Sequence, residues 1–126
     1  MNWSAKTTRY THYENEIMRS ALVLKCLSYK KSGAVLAAAT TSLPETIGEE
    51  RNWDYRFCWI RDASMVIKVM AGLGHIKSAK DFLQFIIDII PDKDEKIQIM
   101  YGINGEKELT EHILEDRKCC LYSEAK

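Results

Sequence analysis

Residues 62–91 read DASMVIKVMAGLGHIKSAKDFLQFIIDIIP, and they contain two helical patterns separated by a very short turn. In the first pattern, which we expect to begin at Asp62, an apolar stripe recurs at helical spacing and ends at Gly74. The second pattern covers 77–90 and is stopped by Pro91. Because the turn is so short, the two helices are predicted to pack antiparallel as a hairpin.

The second helix of this hairpin is apolar nearly all round. A helix of that kind is usually covered on both sides, which is unusual for an outer helix of a small domain. We therefore expect the hairpin to have neighbours beyond the residues of this chain.

Outside the hairpin, apolar residues at three- and four-residue steps predict a helix over 13–29 that ends at basic residues and Gly33. Small residues without a helical period predict a buried extended segment over 34–39, followed by a loop. Residues 97–104 look extended or irregular, and 106–115 could form a further helix. The predicted fold class is all-α, with long loops and no internal repeat.

Composition excludes several classes of partner. The 126 residues suffice for one domain, and 18 basic and 18 acidic residues give a net charge of zero, so no positive field favours nucleic acid or an anionic membrane. Apolar runs are far shorter than the ~20 residues of a membrane span. Without a secretory pattern at the N-terminus, we expect a cytoplasmic location.

The cysteines and histidines lack zinc spacing, so we expect reduced thiols, no metal and no cofactor.

The densest group of chemically active side chains lies at residues 49–62, EERNWDYRFCWIRD. Arginine guanidinium groups and carboxylates form hydrogen bonds of fixed geometry, and aromatic rings provide flat apolar faces. A sugar-binding site needs both kinds of group. A buried cluster of ion pairs that holds a loop against the rest of the fold explains the same composition equally well. Asp54 and Asp62 could suggest a general acid and base, but neighbouring arginines favour ionised carboxylates, so we assign both to binding.

Three segments resemble the opening of the catalytic domain of glycoside hydrolase family 15: RSALVLK at 19–25, TTSLPE at 40–45 and RNWDYRFCWIRDA at 51–63. The family includes glucoamylases, glucodextranases and some prokaryotic trehalases. The resemblance implies part of an (α/α)6 barrel and inverting hydrolysis of α-glucosides. It implies a substrate-binding set of Tyr55, Trp59, Arg61, Asp62 and Tyr101, with Glu106 a weaker candidate and Trp53, Asp54 and Arg56 in supporting positions.

Inverting hydrolysis needs a carboxylic acid and a carboxylate base ~6.5–9.5 Å apart. The family supplies both from segments downstream of the region matched here, so we expect no catalytic residue in this chain and no activity from it alone. We expect residues 1–114 to be the N-terminal part of the catalytic domain, and 115–126 to be a divergent tail left by truncation or a frameshift.

The resemblance leaves the α-glucoside open among starch-like glucans, dextran and trehalose. Exposed apolar faces would then require the remainder of the barrel or self-association. The alternative function is a small α-helical interaction module in which 51–62 is a scaffold cluster without a ligand.

Overall fold

A computed structural model describes residues 3–46, 51–90 and 96–110, and three helices dominate it. A single 3-10 turn, Ser4–Lys6, precedes α1 (Glu14–Leu27), and then come β1 (Cys58–Trp59), α2 (Ile60–Gly72), α3 (Ile76–Ile89) and β2 (Met100–Tyr101). The two short strands pair antiparallel, with Cys58 opposite Tyr101 and Trp59 opposite Met100. The predicted all-α class is confirmed.

The α2–α3 pair forms the centre of the core. The helices pack most extensively against each other, and Gly74 makes their tight connection in a left-handed conformation that favours glycine. Both helices bury one face, comprising Ala63, Ile67 and Met70 of α2 and Ala79, Phe82, Phe85 and Ile89 of α3. The helical spacing of these residues is the pattern that predicts the hairpin.

The start of α2 differs from the prediction by two residues. The helix begins at Ile60, because Trp59 is extended and the Ile60 amide donates to the carbonyl of Ile99 at 3.1 Å. A bond to a residue distant in sequence thus starts the helix before Asp62, where the prediction has it begin. Asp62 lies in the first turn, where a negative charge is favourable.

Two further boundaries also depend on local hydrogen bonds. The α1 helix ends at Leu27, earlier than predicted, because Ser28 is extended and bridges to Val35. A helix from Glu106 is wrong for 106–110, which are not helical; the Glu106 carboxylate instead accepts hydrogen bonds from the backbone and side-chain amides of Asn104. The remaining residues of that prediction, 111–115, lie outside the described part of the chain.

The segment predicted to be buried and extended over 34–39 connects α1 to the loop before β1, but it is fully buried only at its first two residues and bends at Ala37 and Ala39. Ala34 and Val35 are buried, and the amides of Ala37 and Ala38 donate to the carbonyls of Phe57 and Tyr55. Because of these backbone bonds, the segment holds the arginine- and aromatic-rich loop in place from one side.

Both core helices carry a second apolar face that the described residues leave open. Met65 and Val69 on α2 and Leu83 and Ile87 on α3 are between 50% and 65% exposed. This agrees with the expectation that these helices have further neighbours. Within the described residues, none of the helices combines the length and the apolar character required to cross a membrane.

Candidate functional site

Trp59 is the centre of an aromatic group at the start of α2. Its indole N–H donates to the carbonyl oxygen of Asp54 at 2.9 Å, which fixes the ring plane. The rings of Tyr55 and Trp53 approach it edge-on, with centroid distances of 6.2 and 6.1 Å. Edge-to-face contacts of this kind stabilise one ring orientation while leaving other surface available.

Arg61 and Asp62 follow directly in the first turn of α2. The guanidinium Nη2 lies 3.4 Å from the Asp62 carboxylate, and the side chains are 78% and 36% exposed. An ion pair this long and this exposed contributes little to stability. The donors of Arg61 and the acceptors of Asp62 therefore retain capacity for a ligand.

An open groove of about 530 Å³ joins Trp59 to Arg61. Ile60 lies between them, and Gln98 and Ile99 form the opposite wall. Asp62, Tyr55 and Tyr101 are not among the lining residues of this groove. No sequence motif indicates Gln98 or Ile99; the only signal is their closeness to Tyr101 in an apolar stretch.

Tyr101 lies beneath the groove wall, not in the groove itself. It is only 1% exposed, and its hydroxyl accepts a hydrogen bond from the amide of Gln98 at 2.9 Å. Tyr101 therefore supports the wall from behind, and its direct contact with a substrate stays a prediction.

Asp54 and Arg56 form a tight ion pair at the surface, with the Arg56 side chain 61% exposed and that of Asp54 26% exposed. The Arg56 Nε and Nη2 atoms donate to the Asp54 carboxylate at 2.9 and 2.7 Å, and the Arg56 amide donates to it as well. Side-chain hydrogen bonding by Arg56 lowers the pKa of Asp54 below its ordinary value. The pair lies within one loop and is largely exposed, so it differs from the buried ion-pair cluster considered from composition.

Trp53 is held by residues that come before it in the sequence. Its indole N–H donates to the Glu45 carboxylate at 2.9 Å, and its amide donates to the Ser42 hydroxyl at 2.7 Å. Ser42 in turn donates its amide to the Trp53 carbonyl. Trp53 and Asp54 thus reach the groove only through Trp59, which is consistent with the supporting positions expected for them.

Other titratable groups lie apart from the groove. Glu106 is exposed and is not among the groove-lining residues, and hydrogen bonding from the Asn104 side chain lowers its pKa. Cys58 is buried, which raises the pKa of its thiol, and Cys26 is exposed; both are free. Across residues 3–46, 51–90 and 96–110, no cluster of side chains could hold a metal ion.

Comparison with known proteins identifies the family of this chain. Residues 11–124 match the model for glycosyl hydrolases family 15. The chain belongs to that family. The resemblance inferred from residues 19–63 is confirmed, and the three helices are consistent with a partial (α/α)6 barrel.

Curated relatives match most of this chain, but this chain matches only a small part of each relative. A trehalase of Thermoplasma volcanium is 42% identical over 113 residues, which are 90% of this chain and 18% of the relative. A trehalase of Mycobacterium tuberculosis is 48% identical over 98 residues, 75% of this chain and 14% of the relative. Trehalase 2 of Sulfolobus acidocaldarius is 42% identical over 96 residues, which are 74% of this chain and 16% of the relative. The chain spans less than a fifth of the length of these relatives, and no solved structure matches it.

Proposed function

We propose that this chain is the glucosyl-binding segment of an inverting α-glucoside hydrolase, with trehalose as its substrate. The observation that carries the proposal is the groove in which the fixed ring of Trp59 lies beside the exposed guanidinium of Arg61. Among the three substrates open from sequence, trehalose is favoured because relatives at 42% and 48% identity are named trehalases.

Each group has a distinct role in this proposal. The Trp59 ring presents a flat apolar surface to the C–H face of the sugar, and Tyr55 keeps that ring in place. Arg61 donates to sugar hydroxyls through its planar fork, while Asp62 accepts from them. The weak pairing of Arg61, which lines the groove, with Asp62, the next residue of α2, leaves the hydrogen-bonding groups of both side chains available to a ligand.

The acid and base of the reaction are proposed to lie outside residues 1–126. An inverting pair needs one protonated and one ionised carboxyl with a water between them. Hydrogen bonding from Arg56 lowers the pKa of Asp54, so this carboxyl does not match the protonated partner. A polypeptide of these residues alone is therefore expected to bind sugar without hydrolysing it.

Trehalose titration of the ¹⁵N-labelled chain tests binding directly. We expect shifts in the indole N–H signal of Trp59 and in the amides of Arg61 and Gln98. Arg61→Gln should abolish these shifts, whereas Arg19→Gln, on an exposed arginine of α1, should not. Absence of shifts in the unmodified chain would favour the helical interaction module, and release of glucose by the purified chain would refute the absence of catalysis.

A chimaeric enzyme tests the role of the segment in a complete barrel. The matching 113 residues of the Thermoplasma volcanium trehalase are replaced by those of this chain. In a chimaera that hydrolyses trehalose, Arg61→Gln is expected to raise KM or lower kcat strongly, and Arg19→Gln to leave both unchanged. Equal activity of the two variants would contradict the binding role of Arg61.

The open faces of α2 and α3 are proposed to be covered by further helices of the family barrel. The purified chain alone would then self-associate through Met65, Val69, Leu83 and Ile87, because these exposed side chains leave apolar surface in water. Sedimentation velocity measures this, and replacement of Leu83 and Ile87 by Gln should shift the chain toward monomer. A cytoplasmic location stays an expectation from sequence.

A further inference from the structure

A second pocket, of about 460 Å³, lies at the N-terminus of α3 and is separate in its lining residues from the groove at Trp59. Four lysines from separate parts of the chain converge on it: Lys6, Lys25, Lys30 and Lys77. We refer to it as the lysine pocket. In a chain with a net charge of zero, four lysines against one paired aspartate in the lining of a single cavity give it a local excess of positive charge.

Among the described residues that line the lysine pocket, one is acidic, Asp81. Both oxygens of its carboxylate accept hydrogen bonds from Lys77 at 2.8 Å, so this acid is already engaged. Lys6, Lys25 and Lys30 form no ion pair within the described part of the chain. Lys25 is half-buried, so part of its side chain packs against the protein.

The wall of the pocket is rigid. His75 is 5% exposed, its Nε2 lies 2.9 Å from the Thr7 hydroxyl, and the Trp3 indole stacks on its ring at 3.7 Å with an interplanar angle of 6°. Burial lowers the pKa of His75, and the charges of Lys25 and Lys6 lower it further. The positive potential in the pocket thus acts on a neighbouring group inside the fold.

Backbone groups add to the same potential. The lysine pocket includes the first residues of α3, from Ile76 to Ser78, and no side chain caps this 14-residue helix. The Ser78 amide donates to the His75 carbonyl at 3.0 Å, so the amides of Ile76 and Lys77 are the ones that can stabilise a negative charge close to the helix end. Ser78, also in the lining, supplies a hydroxyl.

We propose that the lysine pocket binds the phosphate group of a small soluble phosphomonoester. A phosphate offers close to two negative charges and three strong acceptor oxygens, which match several ammonium groups and helix amides better than a single carboxylate does. The volume lies in the range of small-ligand sites. The Trp3 indole gives an apolar wall for the organic part of the ligand, whereas nucleic acid would require a basic surface larger than this pocket.

Titration of the ¹⁵N-labelled full chain at constant ionic strength tests the proposal, with glucose 6-phosphate and inorganic phosphate as probes. Saturable shifts are expected at the amides of His75, Lys77 and Ser78, with tighter binding of the ester. Shifts with inorganic phosphate alone would assign the site to the free anion and overturn the phosphomonoester. Equal shifts with sodium chloride would overturn a phosphate site altogether.

Variants show whether the lysines bind the ligand. Lys25→Gln/Lys30→Gln should weaken binding about tenfold or more, since each charge-assisted contact is a large share of the affinity for a small anion. Lys68→Gln, on an exposed lysine of α2 outside the pocket, should leave it unchanged. If the first variant does not fold, Lys6→Gln/Lys30→Gln, at two exposed positions, provides the same comparison. Equal affinity of the pocket and control variants would overturn the proposal.

Discussion

Replacement of Gly33 by alanine is expected to destabilise the protein strongly, because the residue meets two separate restrictions. Its φ of +87° lies in the left-handed region, and an added methyl group would overlap the Asp81 carbonyl oxygen and lie 2.6 Å from the carbonyl carbon. The opposing atoms belong to the backbone of α3, so no side-chain rotation relieves the overlap. The loop after α1 would have to move away from the helix.

The expected size follows from the two costs. The left-handed conformation costs a residue with a Cβ about 1–2 kcal/mol. Forced displacement of packed elements typically costs about 1–3 kcal/mol. Together they predict a loss of about 3 kcal/mol in the free energy of unfolding for Gly33→Ala.

Gly72 provides a matched control in the same chain. It is the last residue of α2, has no positive φ, and an added methyl group meets nothing within 4 Å. Gly72→Ala should be neutral or raise the free energy of unfolding by up to ~1 kcal/mol through helix propensity. Urea denaturation followed by far-ultraviolet circular dichroism measures both variants. A difference between them below about 1 kcal/mol would refute the steric reasoning.

Three further predictions concern the site and the core. Because Arg56 lowers the pKa of Asp54 below the ordinary 3.8, the pair stabilises the fold at neutral pH. This contribution is lost as the pH falls through the lowered pKa of the folded state. An NMR titration of Asp54 with a midpoint at or above 3.8 would contradict this prediction. Phe85→Ala, which empties a core position only 3% exposed, should cost about 3–5 kcal/mol of unfolding free energy in the same urea assay. Alkylation followed by peptide mass spectrometry should modify exposed Cys26 quickly and buried Cys58 only on unfolding, and equal rates would show that Cys58 is accessible in the native state.

The parts of the fold that sequence predicts are those determined by local pattern. The core faces of α2 and α3 follow from helical spacing, and the left-handed Gly74 follows from the short turn between them. Helix ends are less predictable, because α2 begins at Ile60 through a bond to Ile99, a partner far along the chain. No pattern within residues 58–64 could indicate that bond.

The candidate site shows the same division. Trp59 and Arg61 could be identified from motif and chemistry, since both belong to one continuous stretch. Asp54 is paired with Arg56 and does not line the groove, and Tyr101, which pairs with Cys58, is buried. Gln98 and Ile99 enter the groove only because that pairing brings their segment alongside Trp59. Composition could not decide between ligand contact and support at these positions.

The short β1–β2 ladder also determines the order in which the groove can form during folding. The α2–α3 hairpin closes through contacts between residues near in sequence, which form quickly. The segment with Gln98 and Ile99 instead makes contacts with residues distant in sequence. Tyr101 pairs with Cys58, and the Ser32 hydroxyl donates to the carbonyl of Ile103, which lies 71 residues further along the chain. The entropy of closing such loops makes these contacts late ones. We therefore expect the wall opposite Trp59 to form after the aromatic face of the groove.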